Sequence, residues 1–351
     1  MIDSQKFKTG FIVVRPKLTL FFGAGASAPF GLPVMRESVK KLKRLVDEKV
    51  MSLHGGWEIL KKYIDNFIKF EHFTFEELME IIQCIIGIEY LHRISGVPLS
   101  RFLPVNGEQI KKEIEKAKDA DRILKEFIYK TYSRNIGLNE IREIYDPFFN
   151  IFLSKKGKFE LNWIFTTNYD RVLEKYLKSK FGNKFYDGFN KEKENWEGFY
   201  NYNEYPIILA KLHGSIDWVM DLESGDIKKT PPTSKPISSD LAKEIILYPY
   251  KKTTVTAQPF LSLFNFFSRA LDESSIFVFV GYSFNDDTIT EMVKYSLSKK
   301  NRNLKIIIID PNAENIKERV FSDVRNSEFV FAVQKKIEEF QDKDFELIYS
   351  S

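Results

Sequence analysis

The chain has 351 residues, enough for two domains of about 150 residues or one large α/β domain with insertions. With 43% hydrophobic and 29% charged residues it is not a wholly disordered chain, and 53 basic against 49 acidic side chains, a formal charge of +4, argue against a general polyanion binder, which needs clustered lysine and arginine. The one cysteine, Cys84, permits neither an intrachain disulfide nor a multi-cysteine zinc site. The first ten residues lack the basic and apolar segments of a secretory signal, and no apolar run reaches the roughly 20 residues that span a bilayer, so the expectation is a soluble, cytoplasmic protein.

In chain order, 17–22 is a short apolar run of strand-forming residues that ends directly on Gly23-Ala24-Gly25-Ala26-Ser27. Strand, glycine turn and a helical pattern beyond Pro33 open a Rossmann-type unit. The next core strand is 163–166. The stretch between is helical in pattern: 76–90 carries Leu78, Met79, Ile81, Ile82, Ile85 and Ile86, and 108–132 repeats the behaviour with lysines on its polar side. Further strands are expected at 207–212, 276–280, 304–309 and 329–333, whose nearly continuous apolar character suits a parallel sheet covered on both faces. The segment 291–297 falls in the crossover between two of them, and 244–248 is a further strand candidate. The stretch 182–205 is irregular, 221–240, with three prolines, reads as a surface loop, and the end reads as a charged helix at 335–340 and a tail.

The fold class expected is therefore α/β, a Rossmann-like parallel sheet with a large helical insertion. The core would comprise 15–35 and 161–335, the insertion 36–160, and a C-terminal helix or tail 336–351.

Chemistry concentrates where strands end, because ligands of a parallel sheet bind beyond the carboxyl ends of its strands. Gly23 and Gly25 permit close approach of a pyrophosphate to backbone amides; a tight turn with no ligand is the plain alternative. Asn168 offers an uncharged donor and acceptor, or caps the following helix. Asp170 would orient a ligand amide or neutralise the first helical turn. His213 is the evident base. Ser215 and Asp217 could cap a turn, and Ser283 with Asp286 has the spacing of a loose capping box. Asp310 and Asn312 follow the next strand. His54, His72 and His92 have no metal-ligand spacing.

The string from Gly23 through Gly31-Leu32-Pro33-Val34-Met35-Arg36, with Thr166-Thr167-Asn168-Tyr169-Asp170, His213-Gly214, Gly281-Tyr282-Ser283 and Asp310-Pro311-Asn312, resembles the sirtuin superfamily, specifically its bacterial sirtuin-like branch. Five motifs stand in the family's order over about 15–335. The resemblance implies NAD+ as substrate, with Asn168, His213 and Asp170 catalytic and Gly23, Ala24, Gly25, Ser27, Pro33, Met35, Arg36, Thr167, Gly281, Ser283, Asp310 and Asn312 around the dinucleotide.

Two departures bear on the reaction. The four-cysteine zinc module of sirtuin deacylases cannot be built here, and Met35 stands where the family carries an aromatic shield over the sugar; Phe30 is a candidate to replace part of that cover. Both favour attack by water, giving nicotinamide and ADP-ribose, with no metal required. Proteins of this branch act in antiviral defence, some with a HerA-type DNA-translocating ATPase. A homo-oligomer gated by such a partner is the expectation, with nucleic acid only as activator and no membrane. The alternatives are an NAD-dependent protein deacylase and a non-catalytic NAD+ or ADP-ribose sensor.

Overall fold

A computed structural model describes residues 15–47, 56–67, 74–95, 107–155, 158–199, 204–231, 233, 235–236, 242–247, 257–299 and 303–350. Strand β1 (Lys17–Phe22) is followed by five helices: α1 (Met35–Asp47), α2 (Gly56–Phe67), α3 (Phe75–Ser95), α4 (Gly107–Tyr132) and α5 (Leu138–Leu153). Then come β2 (Glu160–Thr166), α6 (Val172–Phe181), β3 (Phe185–Tyr186), β4 (Ile207–Lys211), β5 (Gly214–Asp221), β6 (Ile227–Lys229) and β7 (Ala242–Ile246). The chain closes with α7 (Phe260–Glu273), β8 (Ile276–Val280), α8 (Asp287–Ser298), β9 (Lys305–Ile309), α9 (Ala313–Phe321), β10 (Val330–Val333) and α10 (Asp342–Ser350).

Seven strands form one sheet in the order β10-β9-β8-β1-β2-β4-β3, and every pairing in it is parallel. The period of two in a strand sends alternate residues to opposite faces, and here both faces are apolar. Leu20, Phe22, Val278 and Val280 point into a core shared with α1–α6 and α10. Phe21, Phe277 and Phe279 point into a second core with α7, α8 and α9. Burial on both sides explains why these strands read as continuous apolar runs. With β1 in the middle, the loops after β1, β2, β4, β8 and β9 all leave from the carboxyl edge.

Three places depart from the sequence expectation. The stretch 221–240 contains β6, which forms an antiparallel sheet with β5 and β7 in the order β6-β5-β7. Asp221 Oδ1 receives the N–H groups of Glu223 and Ser224 at 3.0 and 3.1 Å, and Gly225 adopts φ +75°, so a tight turn folds β6 back on β5. The segment 182–205 contains the two-residue β3. The C-terminal helix runs over Asp342–Ser350 rather than 335–340, and it is packed: Phe340, Phe345 and Ile348 are buried, with Phe345 edge-on to Phe152 and Phe159.

Candidate active site

The glycine turn is shaped first by its neighbour. The loop after β8 lies across the loop after β1, and the Gly23 and Gly25 N–H groups donate to Val280 O and Gly281 O, each at 2.9 Å. A Cβ on Gly23 would sit 2.5 Å from Gly281 O, one on Gly25 2.7 Å from Gly281 Cα, and one on Gly281, at φ +59°, 2.4 Å from Ala26 N. Three glycines are thus demanded by the meeting of two backbones. The Gly23 and Gly25 N–H groups are thereby spent on the neighbouring loop, and what the missing side chains leave for a pyrophosphate is close approach to the turn. Beyond Gly23 the chain makes two 3-10 turns, Ala24–Ala26 and Ala28–Phe30, before α1.

Asn168 is tied to this turn. Thr166 Oγ1 donates to Phe22 O at 2.8 Å and receives the Asn168 N–H at 3.0 Å. The Asn168 side-chain Nδ2 donates to Gly23 O at 2.9 Å and to Ser27 Oγ at 3.1 Å. Both amide donors are occupied by the protein, which leaves Oδ1 as the group offered to a ligand. Asp170 is buried, and its Oδ1 receives the Val172 N–H at 2.9 Å in the turn that leads into α6, whose N-cap is Arg171. The next tie is deeper: Lys211 Nζ donates to Asp170 O and pairs with Glu174 Oε1 at 2.7 Å.

His213 sits in the turn between β4 and β5, only 8% exposed. Its carbonyl receives the Leu247 N–H at 2.9 Å, and Gly214 follows at φ +75°, where a Cβ would lie 2.2 Å from Ile245 O. The ring Nε2 lies 3.0 Å from Asp286 Oδ2. Asp286 is the N-cap of α8, its Oδ1 receiving the Ile289 N–H at 3.0 Å. Burial pushes the Asp286 carboxyl up, but the hydrogen bond and charge of His213, helped by the Ile289 and Thr288 N–H groups, outweigh it and hold the group below its ordinary 3.8. The cap is therefore Asp286 itself rather than Ser283.

The remaining sequence candidates are distributed around these groups. Ser27 is buried beneath Asn168, Ala24 and Thr167 are half-buried, and the Thr167 N–H reaches Phe22 O at 3.3 Å. Pro33 O receives the Tyr132 hydroxyl at 3.1 Å and Ala26 O that of Tyr145 at 3.2 Å, so helices α4 and α5 hold the loop from the far side. Phe30 is not a shield over the site; it is 1% exposed and packed edge-on to Tyr145. The Met35 and Arg36 side chains lie outside the described residues. Ser283 is exposed and its carbonyl accepts from Arg319 Nη2 at 2.6 Å. Asp310 Oδ1 receives the Asn312 N–H at 2.8 Å in a turn before α9; burial raises its carboxyl in spite of that bond.

Hydrogen bonds thus join the loops after β1, β2, β4 and β8 into one cluster, with the β9 loop connected through Gly281 N–H to Ile309 O at 2.8 Å. Residues 162–330 match the family described as the SIR2-like domain. The match takes in the loops of Asn168, His213, Gly281 and Asp310, while the glycine turn lies ahead of it. No curated protein is significantly similar to the chain. Among solved structures it is similar to a Sir2 homologue complexed with NAD (14% identity, 95% of this chain and 90% of that one, TM-score 0.44). It is also similar to a mutant Sir2 homologue with 2'-O-acetyl ADP ribose (14%, 95% and 92%, TM-score 0.43), and to a Sir2 with p53 peptide and NAD+ (11%, 95% and 94%, TM-score 0.38).

The cluster also involves groups the sequence pattern did not single out for the site. Asp286 was legible only as a capping residue, and Tyr132 and Tyr145 only as apolar helix positions. Ser215 and Asp217 are buried in β5, where Ser215 Oγ donates to Tyr169 O at 3.2 Å and Asp217 pairs with Arg171 Nε at 2.9 Å; they support the Asn168 loop from below. A groove of about 930 Å³ on the other side of α6 is lined by Arg171, Lys175, Asp217 and Lys229 among others and includes neither Asn168 nor His213. Among the described residues no group of three or more His, Cys, Asp or Glu side chains could hold a metal ion.

Proposed function

We propose that the SIR2-like domain of this chain breaks the nicotinamide–ribose bond of NAD+ and that water receives the ADP-ribose. The observation that carries the reading is the joint placement of Asn168 and His213. They stand at the ends of neighbouring strands β2 and β4, one bonded to the glycine turn and the other to Asp286. Bound NAD+ supplies a pyridinium leaving group and a ribose on which positive charge gathers as the bond breaks. Gly23, Ala24, Gly25, Ser27, Gly281 and Ser283 would hold the phosphates, Asp310 and Asn312 the adenosine hydroxyls, and Pro33, Met35, Arg36, Thr167 and Asp170 the nicotinamide side. Asn168 Oδ1 accepts a hydrogen bond from the attacking water or a ribose hydroxyl and so fixes it. His213 takes the proton given up on that side.

The SIR2-like match supports a second acceptor equally well, the acyl oxygen of an acylated lysine, which is the deacylase reading. Purified protein incubated with NAD+, with and without an acetyl-lysine peptide, separates them by proton NMR. Nicotinamide and ADP-ribose released without peptide support hydrolysis; release that requires peptide and yields O-acyl-ADP-ribose supports deacylation. Asn168→Ala and His213→Ala should abolish either. NAD+ bound but never consumed would leave the sensor reading. From the resemblance to bacterial sirtuin-like proteins we further place the activity in antiviral defence, in a cytoplasmic homo-oligomer triggered by a HerA-type ATPase. Co-expression with such an ATPase under phage challenge, reading cellular NAD+, tests that placement.

A further inference from the structure

The contact between His213 and Asp286 joins residues 73 apart in sequence and is fixed from both ends. His213 is held by its main chain, through the Leu247 N–H and the left-handed Gly214. Asp286 is held by the cap it makes on α8, a helix anchored by buried Ile289, Val293 and Leu297. The two side chains are 10% and 27% exposed, so water competes little for the bond. An ionised carboxylate only accepts hydrogen bonds. The imidazole nitrogen that faces it, Nε2, must therefore carry a proton, and in the neutral ring the lone pair is left on Nδ1.

We infer that Asp286 is a positioning residue that sets the tautomer of His213, so that Nδ1 is the nitrogen that takes up the proton during reaction. The charge formed on the ring is then met by the carboxylate already in place at 3.0 Å, a charge-assisted bond stronger than its neutral counterpart. The inference rests on His213 being the base of the proposed reaction. Its structural half, the tautomer, stands on the geometry alone.

Serine at 286 separates the two jobs of the side chain, because it caps a helix as well as aspartate but is too short to reach the imidazole. In Asp286→Ser the helix stays capped, so the thermal midpoint should fall only by the loss of the His213 bond. The 15N spectrum of His213, assigned by its loss in His213→Asn and recorded at alkaline pH where imidazole is neutral, should move from Nε2–H to the mixture of tautomers seen in free histidine. kcat for NAD+ cleavage should fall about 100-fold with KM within about twofold. Asp286→Asn, whose single oxygen stays on the cap, turns its Nδ2 as a donor toward the imidazole, and should move the ring to the Nδ1–H tautomer and lose at least about 100-fold in kcat. If Asp286→Ser keeps the Nε2–H tautomer, or keeps wild-type kcat, Asp286 is only a cap and the inference is overturned. A wild-type protein that does not consume NAD+ sinks the proposed reaction, while the spectra still decide the tautomer.

Discussion

Asn168 shows how much of a reactive side chain can be committed to the protein before any ligand arrives. Its two amide hydrogens are spent on Gly23 O and Ser27 Oγ, so the orientation of Oδ1 follows from hydrogen-bond accounting. Asn168→Ala should cost about 1–2 kcal/mol, the net worth of the lost bonds, measured as a shift of the urea midpoint. Asn168→Asp should cost more, since a carboxylate oxygen would then face the Gly23 carbonyl with no hydrogen between them; both should lose at least about 100-fold in NAD+ cleavage. Asp286 gives a pH signature. Its carboxyl is held below 3.8 in the folded chain, so its contribution to stability is present above the unfolded value and is lost as pH falls through the lower folded one. The thermal midpoint of wild type should exceed that of Asp286→Asn around pH 5 and converge with it as the solution is taken toward pH 2. A constant difference across that window would contradict the depressed carboxyl.

At the scale of elements, the carboxyl edge is assembled by loop-to-loop packing, and Gly281 is its tightest point. Alanine there would need a left-handed backbone and would place a methyl group 2.4 Å from Ala26 N. The first effect alone costs about 1–2 kcal/mol, so Gly281→Ala should destabilise by more than that in chemical denaturation and displace the glycine turn, raising KM for NAD+. An unchanged midpoint would mean the two loops do not touch. The same elements show what was legible beforehand. Strands β1, β2, β4, β8 and β9 carry buried residues on both faces, and an apolar run on both faces needs no partner to be recognised. Strand β5 hides because its alternate residues Ser215 and Asp217 are polar yet buried, Ser215 bonded to Tyr169 O and Asp217 Oδ2 paired with Arg171. β6 hides because Ile227 is the one apolar residue among its three, and β3 because two residues hold no period. That the loops of the candidate site lie together was legible through motif and strand end. The bond from His213 to Asp286 was not, since no local pattern links positions 73 apart.

Across the whole molecule, the two cores meet at the sheet, and the candidate site depends on charges buried beside it. Lys211, 2% exposed at the end of β4, reaches Glu174 in α6 and the Asp170 carbonyl in the loop after β2. One amine thus ties the sheet to the helix that begins at the candidate site. Such a pair is weak evidence for stability as it stands, but removing one partner strands the other. Burial holds the Glu174 carboxyl above its ordinary 4.5, nearby Asp217 adds to this, and Lys211 opposes both. In Lys211→Met the opposing charge is gone, and the carboxyl should rise further. A carboxyl raised on folding favours the folded state below its unfolded value, and that advantage is lost as pH climbs through the folded one. Lys211→Met should therefore be destabilised by about 3–5 kcal/mol at neutral pH and by much less near pH 4, with activity lost through the freed Asp170 loop. Lys211→Met combined with Glu174→Leu removes the stranded charge and should recover most of the neutral-pH stability without recovering NAD+ cleavage, because the tie to Asp170 stays broken. Denaturation curves of the three proteins at both pH values, beside their cleavage rates, test this coupling. If the double variant regains cleavage as well as stability, the Lys211 contact with the Asp170 loop has no part in the site.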